Sequence, residues 1–195
     1  MENIDLIAAL NQIGKEHGDE GLLKKLADEA GYAAVPPTID EFLDNPYYAG
    51  NFLGKNLYPP WREELRLIFP DPFNCLYLQI CTTGSIGIGK STACLAGMLY
   101  DLCRLLYLKD PHKTFQLISS TQIVIAFMNT TLKTADSVLF GQFRDWIKQS
   151  PFFQEQLAKV KQKKNSNSIY LPHNIYIWFT WNTCLRKSSG FWDFE

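Results

Sequence analysis

Gly84-Ser85-Ile86-Gly87-Ile88-Gly89-Lys90-Ser91-Thr92 fits the pattern G-x-x-x-x-G-K-[ST], with Gly84, Gly89, Lys90 and Ser91 in register. The flanks suit it. Before it, Cys75-Leu76-Tyr77-Leu78-Gln79-Ile80-Cys81 is a short apolar run and predicts a buried strand. After it, the apolar stretch from Lys90 to about Leu106 predicts a helix. The glycines let the backbone wrap closely around phosphates, where side chains would clash. Loop N–H groups and the helix N-terminus supply partial positive charge. Lys90 reaches the β- and γ-phosphates as the catalytic cation, and the Ser91 hydroxyl completes the shell of a bound Mg²⁺. The expected cofactors are ATP and Mg²⁺, held by Gly84, Ser85, Ile86, Gly87, Ile88, Gly89, Lys90, Ser91 and Thr92.

Working toward the C-terminus, Thr114–Ser119 reads as a second buried strand. Helices are expected over 122–134, 137–149 and 151–160, the last with Pro151 at the tolerated first position. Ile169–Leu171 and Ile175–Phe179 read as a β-hairpin around Pro172-His173-Asn174. Toward the N-terminus, residues 46–70 are rich in aromatics and proline. Pro59 and Pro60 open a helix ending near Ile68, which Pro70 and Pro72 close. Thr38 caps a short helix through Ile39, Phe42 and Leu43. A helix over 21–30 has Leu22, Leu23 and Leu26 as its stripe, and Ile4, Ile7, Leu10 and Ile13 mark another. Strands alternating with helices predict an α/β fold: a three-layer P-loop sandwich with a mostly parallel, incomplete sheet and a helical N-terminal preface.

Composition restricts the remaining choices. The chain has 195 residues, 46% of them hydrophobic and 20% charged, which excludes a disordered or fibrous chain. Lys+Arg is 19 against Asp+Glu 20, so no global basic charge announces nucleic acid. No apolar run reaches the ~18 residues of a membrane span. Met1 precedes Glu2 and Asp5 without the basic and apolar regions of a signal peptide. The five cysteines show no C-x-x-C spacing, and are expected to be reduced, mostly buried residues of a cytosolic protein. Lys159, Lys161, Lys163 and Lys164 form a basic cluster that reads as a solvated face or as a DNA-phosphate contact.

A catalytic nucleoside triphosphatase also needs a second strand ending in Asp for Mg²⁺. Neither Thr114–Ser119 nor Ile175–Trp181 ends in an acid. Asp193 and Glu195 follow only Phe191 and Trp192 rather than a full apolar strand.

The order of Asn45-Pro46-Tyr47-Tyr48, Leu57-Tyr58-Pro59-Pro60-Trp61-Arg62, the glycine-rich loop, Leu99-Tyr100-Asp101-Leu102 and Ser150-Pro151-Phe152-Phe153 resembles the N-terminal ATPase domain of a tailed-phage terminase large subunit. The resemblance covers roughly residues 36–177. It implies a motor that packages viral DNA into capsids in the host cytoplasm. Its partners would be double-stranded DNA, a portal and a terminase small subunit, with oligomers forming once the full-length motor is restored. It also implies that Tyr58, Pro59, Trp61 and Arg62 lie near the adenine, a reading that stands beside a simply packed aromatic loop. The chain departs from the family at Ile86, where some members carry a basic residue, and in lacking the acidic strand end and the C-terminal nuclease domain.

The expected divisions are a helical region over 1–45, a partial ATPase domain over 46–177 and an atypical tail over 178–195. The tail holds three of the five tryptophans. Codons compatible with Thr180 to Gly190, read one nucleotide later, allow a sequence resembling the family's, so the tail reads either as the product of a frameshift near residue 178 or as a real tail that simply packs. A small P-loop phosphotransferase, or a non-catalytic remnant or assembly module, are the alternatives.

Overall fold

A computed structural model describes residues 21–129, 139–161 and 168–181 of the chain. The chain divides into two compact units, Met1–Ser119 and Ser120–Glu195.

In the first unit, residues 21–29 are helical, followed by α1 (Ile39–Asp44), a wide π-type turn (Gly50–Gly54), α2 (Pro59–Ile68), α3 (Lys90–Tyr107) and the short α4 (Pro111–Thr114). The caps explain the boundaries. Thr38 accepts the Glu41 N–H at the start of α1, as its sequence predicts, and Pro59 and Pro60 fill the first turn of α2, where a missing N–H costs nothing. The Asp110 side chain accepts the His112 and Lys113 N–H groups at the start of α4.

The 18-residue α3 is the spine of this unit, and Leu99, Tyr100, Leu102 and Cys103 on it are fully buried. The Tyr100 ring packs 4.9 Å from Phe69 and 5.3 Å from Phe42, and its hydroxyl donates to the Pro37 carbonyl at 2.8 Å. The buried Arg104 donates to the Pro72 carbonyl at 2.9 Å and pairs with Asp101 at 3.1 Å. The preface is thereby fastened to the helix that follows the glycine-rich loop.

In the second unit lie β1 (Ile123–Asn129), α5 (Gly141–Gln149), α6 (Pro151–Ala158), β2 (Ser168–Leu171) and β3 (Ile175–Trp181). The sheet order is β1-β3-β2. β1 runs parallel to β3, with Ile123 opposite Ile175, and β2 runs antiparallel to β3, with Leu171 opposite Ile175. The expected hairpin is present. His173 and Asn174 both take positive φ (60° and 56°), the signature of a tight two-residue turn matched to strand twist. Asn174 also donates to the Ser120 and Thr121 carbonyls, which fixes the turn against the entry to β1. Phe127 packs 5.0 Å from Phe143, and Ile147, Phe153, Leu171 and Ile177 complete the buried core.

Three expected elements are corrected. The segment 75–81 forms no strand: it is exposed throughout, and Leu78 is fully open to solvent. A buried strand needs neighbours on both edges to satisfy its backbone. Among the described residues of this unit the only β-type pairing is the single bridge Tyr32–Leu108. Thr114–Ser119 is the end of α4 and an exposed turn, with Ile118 76% exposed. The helix expected over 122–134 begins instead as β1. Ile123-Val124-Ile125 is a β-branched run, stiff at χ1 and suited to a pleated surface, and β3 supplies its ladder.

The architecture is therefore mixed α/β with a small sheet and many helices. The expected three-layer, mostly parallel sandwich is met only that far, since one of its two strand pairings is antiparallel. Cysteine burial is also corrected. Cys75, Cys81 and Cys94 are exposed and Cys103 is buried, because the segment carrying Cys75 and Cys81 has no covering strand. The first four residues of the expected tail, Trp178–Trp181, continue β3, while Cys184, the residues of the expected first helix, Asp193, Glu195 and the rest of the tail lie outside the described residues.

Candidate functional site

The glycine-rich loop turns through three positive-φ glycines, Gly84 (132°), Gly87 (90°) and Gly89 (82°). L-residues with a Cβ rarely occupy these angles, so the loop's shape depends on glycine. Gly89 caps α3, and Lys90 is the first residue of that helix. The Lys90 ammonium folds back onto the loop and donates to the Gly84 carbonyl at 2.8 Å and the Ser85 carbonyl at 2.6 Å. The ammonium is thus held by the backbone of its own loop. Ser91 is exposed in the first turn of α3, and Ile86 at the loop tip is fully exposed.

A cleft of about 420 Å³ opens beside the loop, lined by Asn56, Leu57, Tyr58, Trp61, Gly87, Ile88, Gly89 and Thr92. Two of the four residues expected on the adenine side, Tyr58 and Trp61, share this cleft with the loop. Tyr58 is 60% exposed. Trp61 donates its indole N–H to the Ile88 carbonyl at 2.5 Å.

Pro59 and Arg62 do not line the cleft. The Arg62 guanidinium is committed to Asp44 through two hydrogen bonds of 2.6 and 2.8 Å, and to the Gly54 carbonyl at 3.2 Å. Its hydrogen bond to Asp44 pulls that carboxyl below its ordinary value of 3.8. Asn56 and Leu57 are the cleft residues that sequence reasoning missed. Their one signal is their place at the start of the Leu57–Arg62 stretch, with Asn56 just before it.

A second cavity of about 450 Å³ lies along α2 and α3, where apolar residues including Leu65, Phe69, Ala93 and Met98 meet Glu64 and Asp101. Burial pushes the Asp101 carboxyl above 3.8. Among the described residues no three His, Cys, Asp or Glu side chains converge on a metal position. Of the basic cluster, Lys159 and Lys161 are exposed, and Lys159 bonds Gln156 at 3.0 Å. Lys163 and Lys164 lie outside the described residues. No described helix is long and apolar enough to cross a membrane.

Residues 72–183 match the family described as "Uncharacterized protein MJ0330, N-terminal P-loop domain". The match covers more than half of the chain.

The chain belongs to this MJ0330 P-loop family.

No curated protein and no solved structure matches the chain. The matched region of the MJ0330-type domain contains the whole loop from Gly84 to Thr92, α3, and every strand of the sheet. It begins after Tyr58 and Trp61, so the aromatic wall of the cleft lies outside the part that defines the family. A P-loop is a phosphate cradle, so membership makes nucleotide the expected ligand class. The residues present suit a magnesium nucleotide: glycines at positive φ, an ammonium already held by loop carbonyls, and a hydroxyl exposed in the first helical turn.

Proposed function

We propose that this chain is an ATP-binding P-loop module in which Lys90 and the loop Gly84–Thr92 hold the phosphates and Ser91 ligates Mg²⁺. The observation that carries the reading is the Lys90 ammonium seated on the Gly84 and Ser85 carbonyls at the N-terminus of an 18-residue helix. A triphosphate supplies charged acceptors in place of neutral ones, and charge-assisted bonds are about twice as strong as neutral ones. Tyr58 is the ring on which the base stacks. Among the described residues β1 closes on Asn129 and β3 on Trp181, and neither strand holds a carboxylate for Mg²⁺. Binding should therefore far exceed turnover.

The finer reading is the ATPase core of a terminase-type motor that packages double-stranded viral DNA. It is supported by the resemblance set out above and by the contact of its proline-aromatic preface with the loop through Trp61. The portal, small subunit, host cytoplasm and DNA are proposals that follow from it.

Titration calorimetry with MgATP tests the first reading. The wild-type chain should bind, and Lys90→Ala should lose at least ~10-fold in affinity, the scale of one charge-assisted contact. Equal affinity in the two proteins rejects the reading. For the motor, double-stranded DNA should raise ATP turnover. Turnover that depends instead on a small phosphate acceptor would point to a phosphotransferase.

A further inference from the structure

We propose that Trp61 is a positioning residue for the phosphate loop: its indole braces the Ile88–Gly89 end of the loop rather than stacking on a nucleotide base. The proposal rests on the nucleotide reading above and deepens it.

The single donor of an indole is its N–H, and in Trp61 it is spent on the Ile88 carbonyl, 27 residues away in sequence. The next residue backs onto the same ring: a Cβ placed on Gly89 would lie 3.5 Å from Trp61 Nε1 and 3.6 Å from Cδ1. One edge of the indole therefore covers the two residues immediately before Lys90. The Ile88 side chain itself lies against Gly84, where a Cβ would come within 2.8 Å of its Cδ1, but the loop tip between them is open. A Cβ on Gly87 would meet nothing within 4 Å, and Ile86 is fully exposed.

The loop thus has two internal braces. Lys90 holds the carbonyls of Gly84 and Ser85, and Trp61 holds the carbonyl of Ile88. Lys90 can exchange its carbonyls for phosphate oxygens, whereas Trp61 can keep its own. The mount beneath Trp61 is firm. Arg62 is fixed to Asp44 by two hydrogen bonds, Arg66 is fixed to Asp40 at 2.8 Å, and Leu65 is buried against α3 beside Gly97. A loop ordered before the ligand arrives spends less of the binding energy on ordering.

Mg-tripolyphosphate has the phosphates and no base, and so separates bracing from stacking. It and MgATP are titrated into the wild-type chain, Trp61→Phe and Trp61→His. Phenylalanine keeps a ring and removes the donor, and histidine restores a ring N–H. Trp61→Phe should weaken both ligands by the same factor, about fivefold for one hydrogen bond, with part of the loss recovered in Trp61→His. A loss confined to MgATP, or no loss for either ligand, overturns the proposal.

A wild-type chain that binds neither ligand rejects the nucleotide reading and this one with it. Sensitivity to Lys90→Ala with indifference to Trp61→Phe rejects this one alone. Should Trp61→Phe not fold, the Trp61 indole N–H of the wild-type chain, saturated with Mg-tripolyphosphate, should exchange slowly with solvent. Fast exchange overturns the brace.

Discussion

Arg62 shows how a residue's neighbours can override its sequence context. Its position beside Trp61 suggests a place in the nucleotide cleft, yet both of its terminal nitrogens are held by Asp44, with Gly54 and Asp40 close by. The guanidinium fork matches a carboxylate in two parallel bonds, and that geometry wins the side chain. Asp44 in the folded chain titrates below 3.8, chiefly because of the hydrogen bond from Arg62. On acidification the unfolded chain takes up this proton first. The pair's contribution is therefore complete at neutral pH and is lost as the pH falls from about 5 through the lowered folded value. Asp44 is 59% exposed, so solvent screening holds the contribution to about 1 kcal/mol or less. Asp44→Asn should lower stability at pH 7 and flatten the acid limb of a urea-midpoint-against-pH curve. An acid limb as steep as that of the wild type would show that the pair does not contribute.

At the scale of elements, legibility followed the source of each element's stability. Elements stabilised locally were readable from sequence. Thr38 marks α1, Pro59 and Pro60 mark α2, the G-K-[ST] junction starts α3 at Lys90, and Pro172-His173-Asn174 marks the hairpin. Elements stabilised by distant neighbours were not. Cys75–Cys81 has the composition of a buried strand but no ladder partner among the described residues of its unit, whereas Ile123–Asn129 owes its strand to a parallel ladder formed some fifty residues later in the sequence. The same division holds at the site. The loop glycines and Lys90 announce themselves, while the Trp61–Ile88 bond depends on how α2 lies against α3.

That packing turns on Gly97. A Cβ there would come within 3.3 Å of Leu65 Cδ2 and 3.7 Å of Phe69 Cε2. In a helix interior glycine costs about 1 kcal/mol against alanine, so its presence in α3 is explained by the close approach of α2. Gly97→Leu should overfill this contact and lower the stability by about 1–3 kcal/mol in urea unfolding. An unchanged midpoint would mean that α2 and α3 separate without cost. Gly97→Ala sets the helix gain against a tight contact and should change the midpoint less.

Over the whole molecule, two units meet at Ser119–Ser120, and the residues leading up to that point are open: Phe115 is 53% exposed and Ile118 76%. A second open run precedes the phosphate loop, with Tyr77 at 52% and Leu78 at 110% exposure. Proteases need several residues of extended, accessible backbone, which helices with buried stripes do not provide. Tyr58 is also exposed, but Pro59 follows it and blocks cleavage there. Among the described residues, brief chymotrypsin treatment followed by mass spectrometry should therefore find the earliest cuts after Tyr77 or Leu78 and after Phe115 or Leu117. α3 and the core of the second unit, around Phe143 and Phe153, should survive longer. Saturating MgATP should slow the first of these cuts more than the second, because only the first adjoins the loop that the ligand would cover. First cuts inside α3 would contradict its role as the spine of its unit. Equal protection at both positions would mean that nucleotide acts on the chain as a whole rather than through the loop.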